Sequence, residues 1–176
     1  IALTAIVLIC LGAVVLFYFG FNNIPNLSER LWASLFHSIS AYNNAGFGLW
    51  SDSLQSYRTN WVVNIVIILL IILGGLGWRV TSDIWVNRKN LYFRNLSLHT
   101  RLVLRTSAIL VCIGAVGLFI TESISDGYLF SDMNWRERSI SFLFESVSAR
   151  TAGFTNMPIS IETISDSGLL LLMTLM

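Results

Sequence analysis

Residues 41–49 read AYNNAGFGL, and residues 149–157 read ARTAGFTNM. Each stretch closes a polar, Ser-rich segment on Ala-Gly-Phe. The surrounding chain is apolar: 55% of its 176 residues are hydrophobic and 12% are charged. An average soluble domain carries roughly 25% charged residues, so this chain has too few charges to coat a soluble globule. The composition reads as all-α integral membrane protein. Ile1–Gly20 and Trp61–Trp78 are uncharged runs, and so is Thr106–Ile120. The last can gain Leu102–Leu104 if Arg105 snorkels toward the headgroups. A fourth run begins near Gly168 and is still apolar at Met176. About 20 apolar residues span a bilayer core.

The chain starts on Ile, and both ends fall inside apolar runs. The first run lacks the basic head and small-residue cleavage site of a signal peptide. The expectation is a piece of a longer polytopic protein. Cys10 and Cys112 lie in apolar runs and read as packing residues, not a disulfide or metal pair. His37 and His99 are too far apart for a local metal motif.

Charge placement orients the spans. Residues 79–105 hold Arg79, Arg88, Lys89, Arg94, Arg101 and Arg105 against Asp83 alone, a net +5. Residues 23–60 balance to zero, and 121–168 carry seven acids against three arginines, a net −4. Lys and Arg stay on the cytoplasmic side. The loop 79–105 is therefore expected inside, with 23–60 and 121–168 outside.

The two Ala-Gly-Phe stretches belong to an internal repeat, which is sought early because it fixes architecture. A shift of 108 places Asn26 on Asn134, Glu29 on Glu137 and Arg30 on Arg138. It also aligns Leu35, Phe36, Ser38, Ser40 and Ala41 with identical residues, eight identities over positions 26–41. Ala45-Gly46-Phe47 then matches Ala152-Gly153-Phe154 at a shift of 107, so the first copy holds one extra residue. Asn followed three residues later by Glu predicts a capping box at the start of each repeated helix. A helix over about 27–41 would be roughly 22 Å long, too short to span comfortably. Both of its ends fall in stretches expected outside. The simplest geometry is re-entrant: a half-helix enters, the chain turns, and an extended limb climbs out. Non-helical backbone at membrane depth is tolerated only inside protein or beside a water-filled cavity.

A half-helix aimed inward puts its C-terminal carbonyls near the bilayer centre, where they favour a cation. The following limb can turn its carbonyls on a common axis, as potassium filters do. Glycine reaches backbone angles closed to other residues and leaves no side chain in the path. Ala45 and Ala152 are small enough for tight packing, and Phe47 and Phe154 are expected to wedge each turn against its surroundings.

NNAGF at 43–47, RTAGF at 150–154 and GGLGWRVTSDIW at 74–85 resemble the second and third pore segments, and the helix end between them, of the Ktr/Trk/HKT superfamily of cation transporters. The likeness is greatest to its bacterial KtrB-type potassium-translocating subunits. The resemblance covers essentially the whole chain. It implies four span–pore helix–span units, pseudo-fourfold around one pore. Residues 1–78 would be the second unit, 79–100 a cytoplasmic connection, and 101–176 the third unit, truncated in its last helix. It implies a filter formed mainly by the backbone of Asn43, Asn44, Ala45, Gly46, Arg150, Thr151, Ala152 and Gly153. It further implies K+ as permeant ion, with Na+ as a second candidate, and no organic cofactor. The implied location is a bacterial inner membrane. The implied partners are a second copy in a homodimer and a cytoplasmic nucleotide-binding regulatory subunit, with no nucleic acid. In that superfamily the last helix of the third unit carries a gating loop.

Other residues have plainer readings. Arg150 beside a cation filter should point away and pair with an acid such as Glu145 or Glu137. Thr151 and Asn44 could offer side-chain oxygens to the ion. His37 aligns with Glu145 and reads as a side chain bonded behind the filter. Gly74, Gly75 and Gly77 read as close helix packing. No strand precedes them and no Lys-Ser/Thr follows, which argues against a phosphate loop. A membrane hydrolase finds no Gly-x-Ser-x-Gly elbow, no His-Glu-x-x-His pair and no carboxylate pair in an apolar run. A sodium or mixed transporter of the same superfamily, or a structural membrane subunit, remain the alternatives to potassium uptake.

Overall fold

A computed structural model describes residues 2–88, 96–124, 134–157 and 164–175, and these are helical with connecting turns. Helix α1 (Ala2–Val15) runs on through a π-turn, Leu16–Gly20. Then come α2 (Leu27–Tyr42), α3 (Trp61–Gly75), α4 (Gly77–Val86), α5 (Leu98–Ile124), α6 (Trp135–Thr151) and α7 (Asp166–Leu175). Lys89, Arg94, Asp126, Asp132 and Glu162 lie outside the described residues.

The first unit has the expected hairpin. The chain leaves α1 at Gly20 and descends along α2, which is about 24 Å long at 1.5 Å per residue. It then returns to its starting level. Asn60 Nδ2 donates to the Gly20 carbonyl at 2.8 Å, and the Tyr57 hydroxyl donates to Asn23 Oδ1 at 3.1 Å. Asn60 also caps α3, accepting from the N–H groups of Val62 and Val63. One side chain thus closes the mouth of the hairpin and starts the next span. Halfway down, the Ser38 hydroxyl donates to the Ile9 carbonyl at 2.6 Å.

The second unit repeats these contacts. The Ser146 hydroxyl donates to the Val111 carbonyl of α5 at 2.9 Å. Gly12 lies against Ser38 and Leu70; Gly114 lies against Ser146 and Leu175. Small residues let helix backbones approach where lipid supplies no hydrophobic drive between helices. Ile9/Val111 and Gly12/Gly114 register at a shift of 102, whereas α2 and α6 register at 108. The stretch between these two registers is therefore six residues longer in the second unit. Ser165 matches Asn60 as the cap of the returning helix, bonding the Gly168 N–H and donating to the buried Glu122 of α5.

Two expectations need correction. Trp61–Trp78 is not one straight span: α3 ends at Gly75, and α4 leaves at 98°. Gly77 has φ +75°, a left-handed angle that turns the chain out of the helix. At 15 residues α3 is about 22 Å long, well short of a bilayer core of about 30 Å. Cys10 and Cys112 are free but exposed on the outer flanks of α1 and α5, not packed inside. They share those flanks with Leu3, Ile6, Leu11, Ile109, Ile113 and Val116, apolar side chains exposed on the outside of the bundle. Such faces suit hydrocarbon. Helix α5 takes in Leu102–Leu104 past Arg105, as expected, and runs on to include Arg101 at one end and Glu122 at the other.

Candidate functional site

Each repeated helix starts on Asn, but the two caps differ. At α6 Asn134 and Glu137 form a capping box, with the Asn134 N–H donating to Glu137 Oε2 at 3.4 Å. At α2 Asn26 Oδ1 accepts from the Ser28 N–H at 3.1 Å, and Glu29 takes the Asn26 amide rather than its backbone N–H. Ser28 follows Asn26 by two and offers its own N–H and hydroxyl, which draws the cap one residue short.

At the far ends Ser40 and Ser148 terminate the helices alike. The Ser148 carbonyl accepts from the N–H groups of Ala152 and Gly153, and the Ser40 carbonyl accepts from Ala45. Here the one-residue slip is absorbed. In the second copy α6 runs on to Thr151. In the first, the helix stops at Tyr42, and Asn43–Asn44 form an extra turn with Asn44 at φ +51°. Asparagine tolerates this left-handed angle better than most residues. Both chains then straighten through a left-handed glycine, Gly46 at φ +69° and Gly153 at φ +78°. The hydroxyls of Ser40 and Ser148 donate to the carbonyls of Phe47 and Phe154, bracing each extended limb against its own helix.

The structure brings the two turns together. Gly46 lies so close to the second turn that a Cβ on it would collide with the Ala152 carbonyl oxygen. A Cβ on Gly153 would stand 4.0 Å from Gly46 Cα. The Thr151 hydroxyl lies 3.3 Å from the Asn44 amide. Among the described residues, no donor reaches the carbonyls of Asn43–Gly46 or Arg150–Gly153. The next carbonyls, at Phe47 and Phe154, are both occupied. Asn43, Ala45, Thr151 and Gly153 are exposed residues. Two apposed rows of unpaired carbonyl oxygens are a surface suited to a cation.

Behind the turns sits a matched pair of acceptors. His37 is fully buried; its Nδ1 lies 2.8 Å from the Ala33 carbonyl, which requires a proton there. Its Nε2 accepts from the Leu49 N–H at 3.5 Å. Glu145, at the aligned position, accepts from the Asn156 N–H at 2.9 Å and the Thr155 hydroxyl at 2.8 Å. Leu49 and Asn156 are themselves repeat equivalents at the shift of 107. Imidazole and carboxylate thus do one job, as the sequence reading expected for His37. The two units are also stitched together: Asn156 Nδ2 donates to Asn64 Oδ1 at 2.7 Å, and the Leu54 N–H donates to the Thr155 carbonyl at 3.0 Å.

Arg150 does not pair with Glu145 or Glu137. The Glu145 carboxylate is spent on the limb, and Arg150 instead reaches the Ser107 hydroxyl of α5 at 3.4 Å, beside Gly75 and Leu76. It does point away from the turn, as expected. The two phenylalanines also part company. Phe154 is 2% exposed and packs 6.3 Å from the His37 ring of the first unit, whereas Phe47 is 69% exposed. Among the described residues, Phe154 has the neighbouring α2 to wedge against.

Some working residues escaped the sequence reading. Ser40 and Ser148 were visible as identities in the repeat but carried no assigned role. Gly12, Gly114 and the Asn60–Gly20 contact register only when the spans are shifted separately from α2 and α6.

The whole chain, residues 1–176, matches the family model described as TrkH, cation transport protein. Relatives include the Ktr system potassium uptake protein B of Bacillus subtilis, 42% identical over 74% of this chain and 28% of that protein. The protein of the same name in Vibrio alginolyticus is 34% identical over 90% of this chain and 34% of that protein. The potassium/sodium uptake protein NtpJ of Enterococcus hirae is 35% identical over 98% of this chain and 36% of that protein. The chain spans about a third of the length of these relatives.

Proposed function

Because the chain belongs to the TrkH family of cation transport proteins, we propose that its two glycine turns are two walls of one pathway for monovalent cations, chiefly K+. The family is one of transporters and not of enzymes, which sets the hydrolase reading aside. The observation that carries the proposal is the pair of apposed turns with unpaired carbonyls at 43–46 and 150–153. Those oxygens would replace the hydration shell of the ion. The eight residues act through the backbone, and the C-terminal ends of α2 and α6 add their dipoles.

The arrangement of the phenylalanines supports a ring. Phe154 of one unit packs behind the pore helix of the unit before it. Phe47 would find the same partner in a preceding unit, and a fourth would close the circle. In this reading residues 1–78 and 101–176 are the second and third units, α4 lies at the cytoplasmic face, and the loop 79–105 stays inside by its charge. The relatives' names speak of a Ktr system, which supports a multi-component assembly. A second copy and a cytoplasmic nucleotide-binding regulatory subunit are the partners we assign to it, in a bacterial inner membrane. A mixed K+/Na+ pathway is the second reading, favoured by the relative named for both ions.

The test is ion flux into liposomes holding the complete subunit that contains this segment. We expect K+ uptake to exceed Na+ uptake. Equal permeation would favour the mixed reading, and no permeation of either would overturn the proposal.

A further inference from the structure

Gly74 and Gly75 close the last turn of α3, just before the chain bends by 98° into α4. Gly74 is pressed against the end of α2: a Cβ there would collide with the Tyr42 carbonyl oxygen. Two residues past Tyr42, Asn44 sends its amide to the same helix end. Its Oδ1 accepts from the Gly75 N–H at 3.1 Å, and its Nδ2 donates to the Ile71 carbonyl at 3.2 Å. The opposite orientation would set oxygen against oxygen and N–H against N–H. Gly75 N–H and Ile71 C=O are the two ends of one i to i−4 rung of the helix. A side chain that enters this ladder is a known cause of sharp helix bends.

The filter turn and the bend therefore share one side chain. Asn44 holds a left-handed backbone angle in the turn while its amide bonds both ends of the Ile71–Gly75 rung, next to the final rung from Leu76 to Ile72. Beyond the break, Gly77 at φ +75° sets the direction of α4. From α4, Asp83 accepts the Ser97 N–H at 2.9 Å and so reaches the start of α5. We propose that Asn44 is a positioning residue that couples the conformation of the first filter turn to the α3–α4 bend. The proposal rests on the pore reading above. A change in the setting of α4 then alters ion discrimination through this amide, without any contact between α4 and the ion.

The test uses the complete subunit in liposomes, with K+ and Na+ flux measured for wild type, Asn44→Gly, Gly77→Ala and the double variant. Glycine accepts the backbone angle of Asn44 without strain, so Asn44→Gly removes the amide and keeps the turn. We expect the K+/Na+ preference to fall about fivefold or more, the lower edge of ordinary coupling between sites. We also expect the double variant to be little worse than the poorer single one, because both changes cut the same link. A wild-type preference in Asn44→Gly, or single effects that multiply in the double variant, would overturn the coupling. A wild type that moves no cation would overturn the pore reading itself, which is a separate result. Should Asn44→Gly not assemble, hydrogen exchange over 71–77 in wild type and Asn44→Asp reads the same contact. Asp loses the donor to Ile71, so faster exchange supports the coupling, and identical exchange contradicts it.

Discussion

Gly46 and Gly153 occupy matching places in the repeat, yet the structure separates what each tolerates. Both have left-handed backbones, which cost an ordinary residue about 1–2 kcal/mol. Gly46 faces the Ala152 carbonyl at a distance that leaves no room for a methyl group, whereas Gly153 has open space out to 4.0 Å. Gly46→Ala should therefore disrupt assembly, seen as loss of the folded subunit on size exclusion. Gly153→Ser should leave a folded subunit with a weakened K+ preference, read from flux ratios. Unchanged ratios in a folded Gly153→Ser protein would sink its assignment to the filter. His37 admits a finer test. His37→Gln can still accept from the Leu49 N–H, whereas His37→Leu leaves that donor unpaired, at a cost of about 1–3 kcal/mol. Thermal unfolding should rank wild type and His37→Gln above His37→Leu.

At the scale of elements, the hairpins depend on caps that serve two purposes. Asn60 starts α3 and ties it to Gly20, so Asn60→Ala should cost about 1–2 kcal/mol, the range for losing an N-cap. A melting temperature equal to wild type would show the tie to be idle. Asp83 gives a pH signature. Hydrogen bonds from Thr100 and Ser97 hold its carboxyl below the usual aspartate range. A depressed folded pKa stabilises above the unfolded value and is lost as pH falls through the folded one. The melting-temperature gap between wild type and Asp83→Asn should thus be present at neutral pH and close in acid. Much of this layer was legible beforehand. Asn26 and Asn134 announce helix starts, and the Ser-rich repeat announces two equivalent helices. The break at Leu76 was not legible, because Trp61–Trp78 is one uncharged run and the chain is turned out of it by the backbone angle of Gly77. The exposed face of Phe47 was hidden for a related reason: sequence identity cannot tell which copy has a neighbour behind it.

For the whole molecule the claim is that two units stand side by side around an axis. The shared core joins Leu54, Val63 and Ile67 of one unit to Phe144, Val147 and Phe154 of the other, and the buried Asn64–Asn156 bond crosses between them. Two walls leave the path open on the remaining sides. Residues 1–176 reconstituted alone should carry no selective K+ flux, and a selective flux from them would contradict the fourfold reading. The most direct measurement locates the ion itself. The complete subunit, crystallised with Tl+ in place of K+, should show anomalous density between the two turns, flanked by the carbonyls of 43–46 and 150–153. Density confined to other sites, with those carbonyls bare, would contradict the assignment of these turns as walls of a cation filter.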